Sequence, residues 1–141
     1  MRFRKSSHGI YRTEYHLVWI PRYRRKIFPK GPKEYAEKLL RSLEGLEPDI
    51  EVIKVNVQVD HVHMVAVIPP RFAVAQVMSF IKSQSAKLLK AKFSFLQTLY
   101  LTEGIWSVGY CVSSVGLNEK EILHYVEFQE KEDKGQLQIT F

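Results

Sequence analysis

The stretch IEVIKVNVQVDHVHMVAVIPP, residues 50–70, decides the fold. Over residues 50–59 apolar and polar residues alternate, a period of two that predicts a half-buried β-strand. The inward positions of that strand would be Ile53, Val55, Val57 and Val59. Residues 61–68 are apolar on both faces apart from two histidines, which predicts a strand inside a sheet and covered by helices. A tight turn near Asp60 joins the two strands into a hairpin.

Further strands and helices are predicted on both sides of this hairpin. The predicted elements are strands over 11–20 and 106–113, helices over 33–46, 73–92 and about 119–132, and a short edge or arm strand over 136–141. The order strand, helix, strand, strand, helix, strand, helix predicts an α+β fold. Such a fold has one mostly antiparallel sheet with helices on one face, as in ferredoxin-like and RNA-recognition-type domains. A length of 141 residues fits one domain, over 1–141.

The composition favours a globular protein of a reducing compartment. Hydrophobic residues make up 45% of the chain and aromatic residues 12%, as in ordinary folded domains. Cys111 is the single cysteine, so no disulfide can form within the chain, and the cytoplasm is the simplest location. Apolar runs long enough to cross a bilayer are absent from the sequence, and no membrane partner is expected.

The positive charge is concentrated at one end of the sequence. The net charge is +6, but residues 1–30 carry nine Lys or Arg against Glu14 alone, and the remaining residues are slightly acidic. This asymmetry favours a polyanionic partner, with a solvated basic loop as the alternative. The candidate phosphate contacts are Arg22, Arg24, Arg25 and Lys26 after the first strand, and Lys82, Lys87 and Lys90 on the second helix.

Two residue pairs carry the chemistry. His61 and His63 are two apart on a strand and therefore project from the same face, where two imidazoles can hold a divalent metal ion. Tyr125 and Gln129 are four apart on a helix and are neighbours on its surface, so a carboxamide oxygen can complete the metal site. A tyrosine hydroxyl beside a metal is a nucleophile for a phosphodiester.

Each residue alone has a simpler interpretation. The histidines could be hydrogen-bonded groups near a strand end, Tyr125 a packing residue and Gln129 a solvated helix residue. The combination instead indicates an enzyme that breaks and rejoins DNA through a phosphotyrosine.

The order and spacing of these motifs resemble those of the single-tyrosine HUH transposases encoded by the smallest bacterial and archaeal insertion sequences. The matching segments are YHLVW at 15–19 with PRYRR at 21–25, DHVHM at 60–64 before Pro69 and Pro70, WSVGY at 106–110, Gly116, and Tyr125 four residues before Gln129. The letters HUH stand for a histidine, a hydrophobic residue and a second histidine, which here are His61, Val62 and His63. The resemblance covers nearly the whole chain.

The resemblance implies a function and a set of roles. His61, His63 and Gln129 would bind Mg²⁺ or Mn²⁺, and Tyr125 would be the nucleophile that forms a 5′-phosphotyrosine. The substrate would be single-stranded DNA that carries hairpins near the ends of a mobile element. The protein would act as a homodimer in which the tyrosine helix of one subunit faces the histidines of the other.

Four other functions fit the same residues. A relaxase or rolling-circle replication initiator uses the same chemistry, yet usually has a longer chain or extra domains. A related HUH nickase that acts on repeated palindromes would share all four site residues. A non-catalytic single-stranded nucleic-acid-binding module would need the fold and the basic segment but no tyrosine hydroxyl. A small metal-dependent hydrolase would use the histidine pair and water, and would never retain DNA on the protein.

Overall fold

The fold is taken from a computed structural model, which describes residues 3–6, 8–45, 47 and 49–135. The edge strand predicted over 136–141 lies outside the described residues. The strands are β1 Arg4–Ser6, β2 Gly9–Tyr11, β3 Glu14–Trp19, β4 Glu51–Gln58, β5 His61–Val67 and β6 Cys111–Ser113. The helices are α1 Lys30–Ser42, α2 Val74–Lys92, α3 Ser94–Leu99 and α4 Glu119–Asp133, and a short 3₁₀ turn at Arg22–Arg24 follows β3.

The main sheet has four antiparallel strands in the order β4-β5-β3-β6. The hairpin over residues 50–70 forms as β4 and β5, and β5 lies inside the sheet against β3. Helix α1 connects β3 to β4 and helix α2 connects β5 to β6, which is the split βαβ arrangement of ferredoxin-like domains. The predicted α+β fold is therefore confirmed.

Strand β3 is buried on both faces, and this determines where the helices lie. Leu17 and Trp19 belong to the large core that includes α1 and α2. The alternate residues, Val18 and Ile20, pack with Val126 of α4. Because successive side chains of a strand point to opposite faces, α4 lies on the face opposite to α1 and α2. The expectation that helices cover one face is correct for α1 and α2 and wrong for α4, since an apolar strand needs cover on both sides.

The fourth strand is shorter than predicted. Only Cys111–Ser113 pair with β3, while Trp106 forms an isolated bridge with Pro21. Between them, the carbonyl groups of Ser107 and Gly109 accept hydrogen bonds from the ammonium group of Lys82. A side chain from α2 therefore satisfies carbonyls that a longer strand would have used in the sheet.

The predicted inward positions of β4 are half correct. Val55 and Val57 are buried, but Ile53 and Val59 are 42% and 41% exposed. The register of β4 against β5 shifts between Val52 and Lys54, as in a β-bulge. The shift reverses the alternation at that end, so Val52 rather than Ile53 packs against the core.

A hairpin of two short strands and the helix α3 were not predicted, and the remaining boundaries differ slightly. Strands β1 and β2 form a separate hairpin, so the first strand of the main sheet begins at Glu14 rather than at residue 11. Helix α3 is a single short helix after α2. No helix in the described part of the chain combines the length and the apolar character needed to cross a membrane.

Candidate active site

The histidines and the tyrosine helix lie on the same side of the sheet. His63 of β5 is directly opposite Val18 of β3, and paired residues in an antiparallel sheet present their side chains on the same face. Val18 packs against Val126 of α4. His61 is two residues from His63 and shares its face. The fold therefore places the helix that carries Tyr125 over the histidine face.

Each histidine has a defined partner. The Nδ1 atom of His61 lies 2.9 Å from the carboxylate of Asp60. A carboxylate only accepts hydrogen bonds, so Nδ1 carries the proton and the Nε2 atom of a neutral His61 keeps its lone pair. The Nε2 atom of His63 lies 3.2 Å from Nδ1 of His16, and their rings stack. Burial, then the nearby His16, lowers the pKa of His63, which favours the neutral imidazole that can bind a metal ion.

Tyr125 and Gln129 contact each other on α4. The hydroxyl of Tyr125 donates to Oε1 of Gln129 over 3.4 Å. Gln129 is 5% exposed, and its amide nitrogen donates to Ser107 and Asp133. Burial, together with negative charge that includes the nearby Asp133 carboxylate, raises the pKa of Tyr125 well above its ordinary value. The hydroxyl is therefore neutral in this environment, and its ionisation needs compensating positive charge.

Arg24 connects the histidine side of the site to the tyrosine helix. Its guanidinium donates to Asp60, the partner of His61, over 2.8 Å and to Glu130 of α4 over 3.0 Å. Both Arg24 and the preceding Tyr23 have positive φ angles, of 53° and 63°. Non-glycine residues rarely adopt this region, so the surrounding contacts hold the turn in this conformation.

Most of the candidate phosphate contacts have partners within the chain. Arg22 and Arg25 donate to backbone carbonyls, and Arg25 also lies over the ring of Tyr100. The ammonium groups of Lys82 and Lys90 each reach two carbonyl oxygens. Lys26 and Lys87 are exposed. The role of all seven basic residues in DNA binding stays a prediction.

The donor groups fit a divalent metal ion. His61, His63 and Gln129 can each present a lone pair, and Asp60 orients His61 in the way that carboxylates orient metal-binding histidines. Within the described ranges no group of three or more His, Cys, Asp and Glu side chains could hold a metal by itself. A metal at the histidine pair would therefore also need amide, substrate or water oxygens.

Three residues of this site were missed in the sequence. His16 is on β3 and reaches His63 from a neighbouring strand, and Ser107 lies in the loop before β6. Both fall within motifs already singled out, YHLVW and WSVGY, but neither was assigned a role. Asp133 follows Gln129 by four residues, the same spacing that links Gln129 to Tyr125, so helical periodicity could have indicated it.

Sequence comparisons identify the family. The model of the family "Transposase IS200 like" matches residues 9–129. The chain is 31% identical over 134 residues to the transposase for insertion sequence element IS200 from Salmonella typhimurium, covering 95% of this chain and 88% of the relative. It is 26% identical over 130 residues to the ISDra2 transposase TnpA from Deinococcus radiodurans, covering 92% of each.

Solved structures share the fold. A crystal structure assigned as a transposase, from Deinococcus radiodurans, superposes with a TM-score of 0.79 at 24% identity, over 89% of this chain and 97% of the other. The structure of a REP-associated tyrosine transposase bound to a REP hairpin superposes with a TM-score of 0.51 at 15% identity, over 89% and 70%.

These sequence matches identify a transposase, an enzyme that cleaves and rejoins DNA. By its match to the family model over most of its length, the chain belongs to the IS200-like transposase family.

The bridge made by Arg24 can be tested by its pH dependence. Hydrogen bonds from His61 and Arg24 outweigh burial and hold the pKa of Asp60 below its ordinary value. A lowered folded-state pKa stabilises the fold above the unfolded pKa, and this contribution is lost as the pH falls through the folded value. We expect Arg24→Gln to lower the free energy of unfolding by about 1.5–3 kcal/mol at pH 7. The difference in the free energy of unfolding between Arg24→Gln and wild type should become smaller below about pH 4.

Urea denaturation across this pH range measures the effect. Lys131→Gln is the control, because the exposed ion pair of Lys131 with Glu127 should contribute less than about 1 kcal/mol. A difference between wild type and Arg24→Gln that does not change with pH would show that Arg24 does not stabilise the protein through these carboxylates.

Proposed function

We propose that this transposase binds hairpin-bearing single-stranded DNA at the ends of a mobile element, and cleaves and rejoins it through a 5′-phosphotyrosine. The observation that carries the proposal is the position of Tyr125. Its hydroxyl contacts the buried Gln129, on a helix that covers the histidine face of the sheet.

The proposed reaction is a transesterification. The hydroxyl oxygen of Tyr125 attacks the scissile phosphorus, a new tyrosine–phosphorus bond forms, and the bond from phosphorus to the 3′ oxygen breaks. The tyrosine proton is lost, and the departing 3′ oxygen takes up a proton to become a free hydroxyl. One phosphodiester replaces another, so a different 3′-hydroxyl can later displace Tyr125 and rejoin the DNA without an external energy source.

The environment of Tyr125 supports a requirement for a cation. Burial and negative charge raise the pKa of its hydroxyl, so phenolate formation is costly in the chain alone. His61, His63 and Gln129 are the residues that would hold Mg²⁺ or Mn²⁺. A bound ion would supply positive charge to the phosphate and to the developing phenolate. Asp60 would keep His61 oriented for this role.

The charge distribution supports a nucleic-acid substrate. The first 30 residues are strongly basic, and Lys26 and Lys87 are exposed. Tyr23 and Trp19 are possible stacking partners for bases by residue type, but Trp19 is fully buried and only Tyr23 is partly accessible. The solved REP-associated relative is bound to a REP hairpin, which is consistent with a hairpin substrate here.

A homodimer with shared sites is the proposed assembly. Val112 and Val115 are exposed at and just beyond the edge strand β6, and Leu123 and Phe128 are exposed on α4. Exposed apolar edges favour pairing with a second copy. Within one chain α4 contacts its own sheet through Val126, so a shared site would require α4 to face the partner's histidines instead.

A second candidate is a related nickase that acts on repeated palindromes outside a mobile element. The fold likeness to the REP-associated tyrosine transposase favours it. Both candidates use the same covalent chemistry and differ in the DNA that they cleave best.

Covalent attachment tests the role of Tyr125. Wild-type protein incubated with labelled single-stranded hairpin DNA and Mg²⁺ should form an adduct that survives denaturing electrophoresis, and perfectly paired duplex should not be cleaved. Tyr125→Phe should abolish the adduct and retain DNA binding, because it removes only the nucleophilic oxygen. Tyr35→Phe is the matched control, since its ring packs against Phe93 on the other face of the sheet. Equal adduct from Tyr125→Phe would refute the assignment, and binding without any adduct would favour the non-catalytic module.

Metal dependence tests the histidine pair. His61→Ala and His63→Ala should each abolish cleavage and weaken Mn²⁺ binding measured by calorimetry, because each removes one ligand. Chelation should abolish cleavage reversibly. His124→Ala is the control, because His124 is exposed on the side of α4 that faces away from the sheet. Full activity in excess chelator would leave His61 and His63 with a structural role only.

Mixed dimers test whether the sites are shared. A Tyr125→Phe subunit and a His61→Ala subunit are each inactive alone. In a shared arrangement, the heterodimer recovers one site made from the intact tyrosine of one chain and the intact histidines of the other. Lack of activity, with heterodimers confirmed by mass, would mean that each chain builds its own site.

A further inference from the structure

We infer that Ser107 and Asp133 are positioning residues that fix the orientation of the Gln129 carboxamide, so that its oxygen faces Tyr125. The inference rests on the proposed function, because it concerns the same site. It adds two residues from outside the histidine and tyrosine motifs and gives each a defined task.

Four hydrogen bonds define the network. The amide nitrogen of Gln129 donates to the Ser107 hydroxyl over 2.8 Å and to Oδ1 of Asp133 over 3.0 Å. The Ser107 hydroxyl donates to the same Oδ1 over 2.6 Å. The other carboxylate oxygen, Oδ2, accepts from the backbone N–H of Tyr23 over 3.0 Å. Gln129 and Ser107 are both buried.

The carboxylate determines the direction of every bond in this network. The ionised Asp133 side chain has no proton to donate, so the Ser107 hydroxyl must donate to it. The oxygen of Ser107 is then free to accept from Gln129, and the amide nitrogen uses both of its hydrogens. The reversed amide would place Oε1 against a carboxylate about 3.0 Å away, with two acceptors facing each other. Gln129 therefore has one favourable orientation.

The chain holds this network in place from two sides. Lys82 of α2 donates to the carbonyls of Ser107 and Gly109, which immobilises the loop that carries the Ser107 side chain. Tyr23, in the strained turn after β3, contributes the N–H that holds Asp133. The orientation of one amide is thus supported by segments distant in the sequence.

Gly109 leaves the space that the Gln129 oxygen occupies. A Cβ atom added at Gly109 would lie 2.5 Å from Oε1 of Gln129, closer than two such atoms can approach. The three heavy atoms nearest to that position all belong to the Gln129 amide group. A methyl group at Gly109 would therefore displace this side chain first.

The orientation matters for the reaction. An amide oxygen accepts a hydrogen bond from the Tyr125 hydroxyl and keeps a second lone pair for a cation. An amide nitrogen in the same place could do neither. Among the described residues, neither Ser107 nor Asp133 is hydrogen-bonded to Tyr125, so the orientation that they impose acts through Gln129.

A charge exchange between positions 129 and 133 tests the inference. Gln129→Glu alone places two carboxylates against each other and should lower the single-turnover cleavage rate by about 10–100-fold. Gln129→Glu combined with Asp133→Asn reverses the two roles. The new amide at position 133 donates to the new carboxylate at position 129, and the carboxylate still presents an oxygen to Tyr125. We expect the double variant to recover most of the rate, with DNA affinity unchanged throughout. A purely structural role for Asp133 predicts that the double variant is no faster than Gln129→Glu, and this outcome would overturn the inference.

Two measurements do not depend on the loaded enzyme. In the metal-free protein, the side-chain amide protons of Gln129 should be protected from hydrogen exchange by NMR, and Asp133→Ala should remove that protection without unfolding the domain. Gly109→Ala should shift the same signals, whereas Gly104→Ala, where an added Cβ meets nothing within 4 Å, should leave them unchanged. Unprotected amide protons in the wild-type protein would refute the network.

The two proposals fail in different ways. If wild-type protein forms no adduct with any single-stranded substrate, the proposed function is wrong. If wild type forms the adduct but the double variant shows no recovery, only the positioning role is wrong.

Discussion

The burial of β3 on both faces is the constraint on which the rest of the structure depends. A strand with Leu17 and Trp19 on one side and Val18 and Ile20 on the other cannot leave either face in water. Helices α1 and α2 cover the first face, and α4 must cover the second. The histidines of β5 project from that second face, so the hydrophobic requirement that recruits α4 also brings Tyr125 to the histidine face of the sheet. The burial of β3 therefore determines both where α4 packs and where Tyr125 lies.

The contact between α4 and the sheet is small and mixed in character. Its apolar part consists of Val126 against Val18 of β3 and Ile20, the residue after the strand, with partly buried neighbours around them. Its polar part consists of the Arg24 bridge between Asp60 and Glu130 and the bond from Tyr23 to Asp133. Charged contacts at partly exposed positions contribute less than a large apolar interface would. Such an interface is compatible with the proposed shared site, in which α4 would pack on the sheet of a second subunit.

The sequence predicted the parts of this protein that depend on local periodicity. The alternation in β4, the apolar run of β5 and the i to i+4 spacing of Tyr125 and Gln129 all follow from the geometry of strands and helices. The early hairpin and α3 were missed because three-residue strands and a six-residue helix are too short to show a period. Ser107 was missed for a different reason: its bonds to Gln129 and Asp133 join residues 22 and 26 positions apart, and only the tertiary fold brings them together. The contact of Asp133 with Gln129 follows helical spacing, but its bond to Tyr23 also depends on the tertiary fold.

The hydrogen bonds that basic side chains make within the chain affect how strongly DNA binding would depend on salt concentration. An ammonium group that already holds two carbonyls, as Lys82 and Lys90 do, cannot release a condensed counterion from DNA unless it first gives up those bonds. The slope of log affinity against log salt concentration depends on how many phosphates the protein neutralises. On single-stranded DNA each neutralised phosphate adds about 0.7 to the magnitude of that slope. Formal charge therefore overstates the electrostatic part of DNA affinity in this protein. Five of the seven candidate phosphate contacts, Arg22, Arg24, Arg25, Lys82 and Lys90, cross-link the fold instead, and the other cations would set the ionic-strength response of the proposed DNA binding.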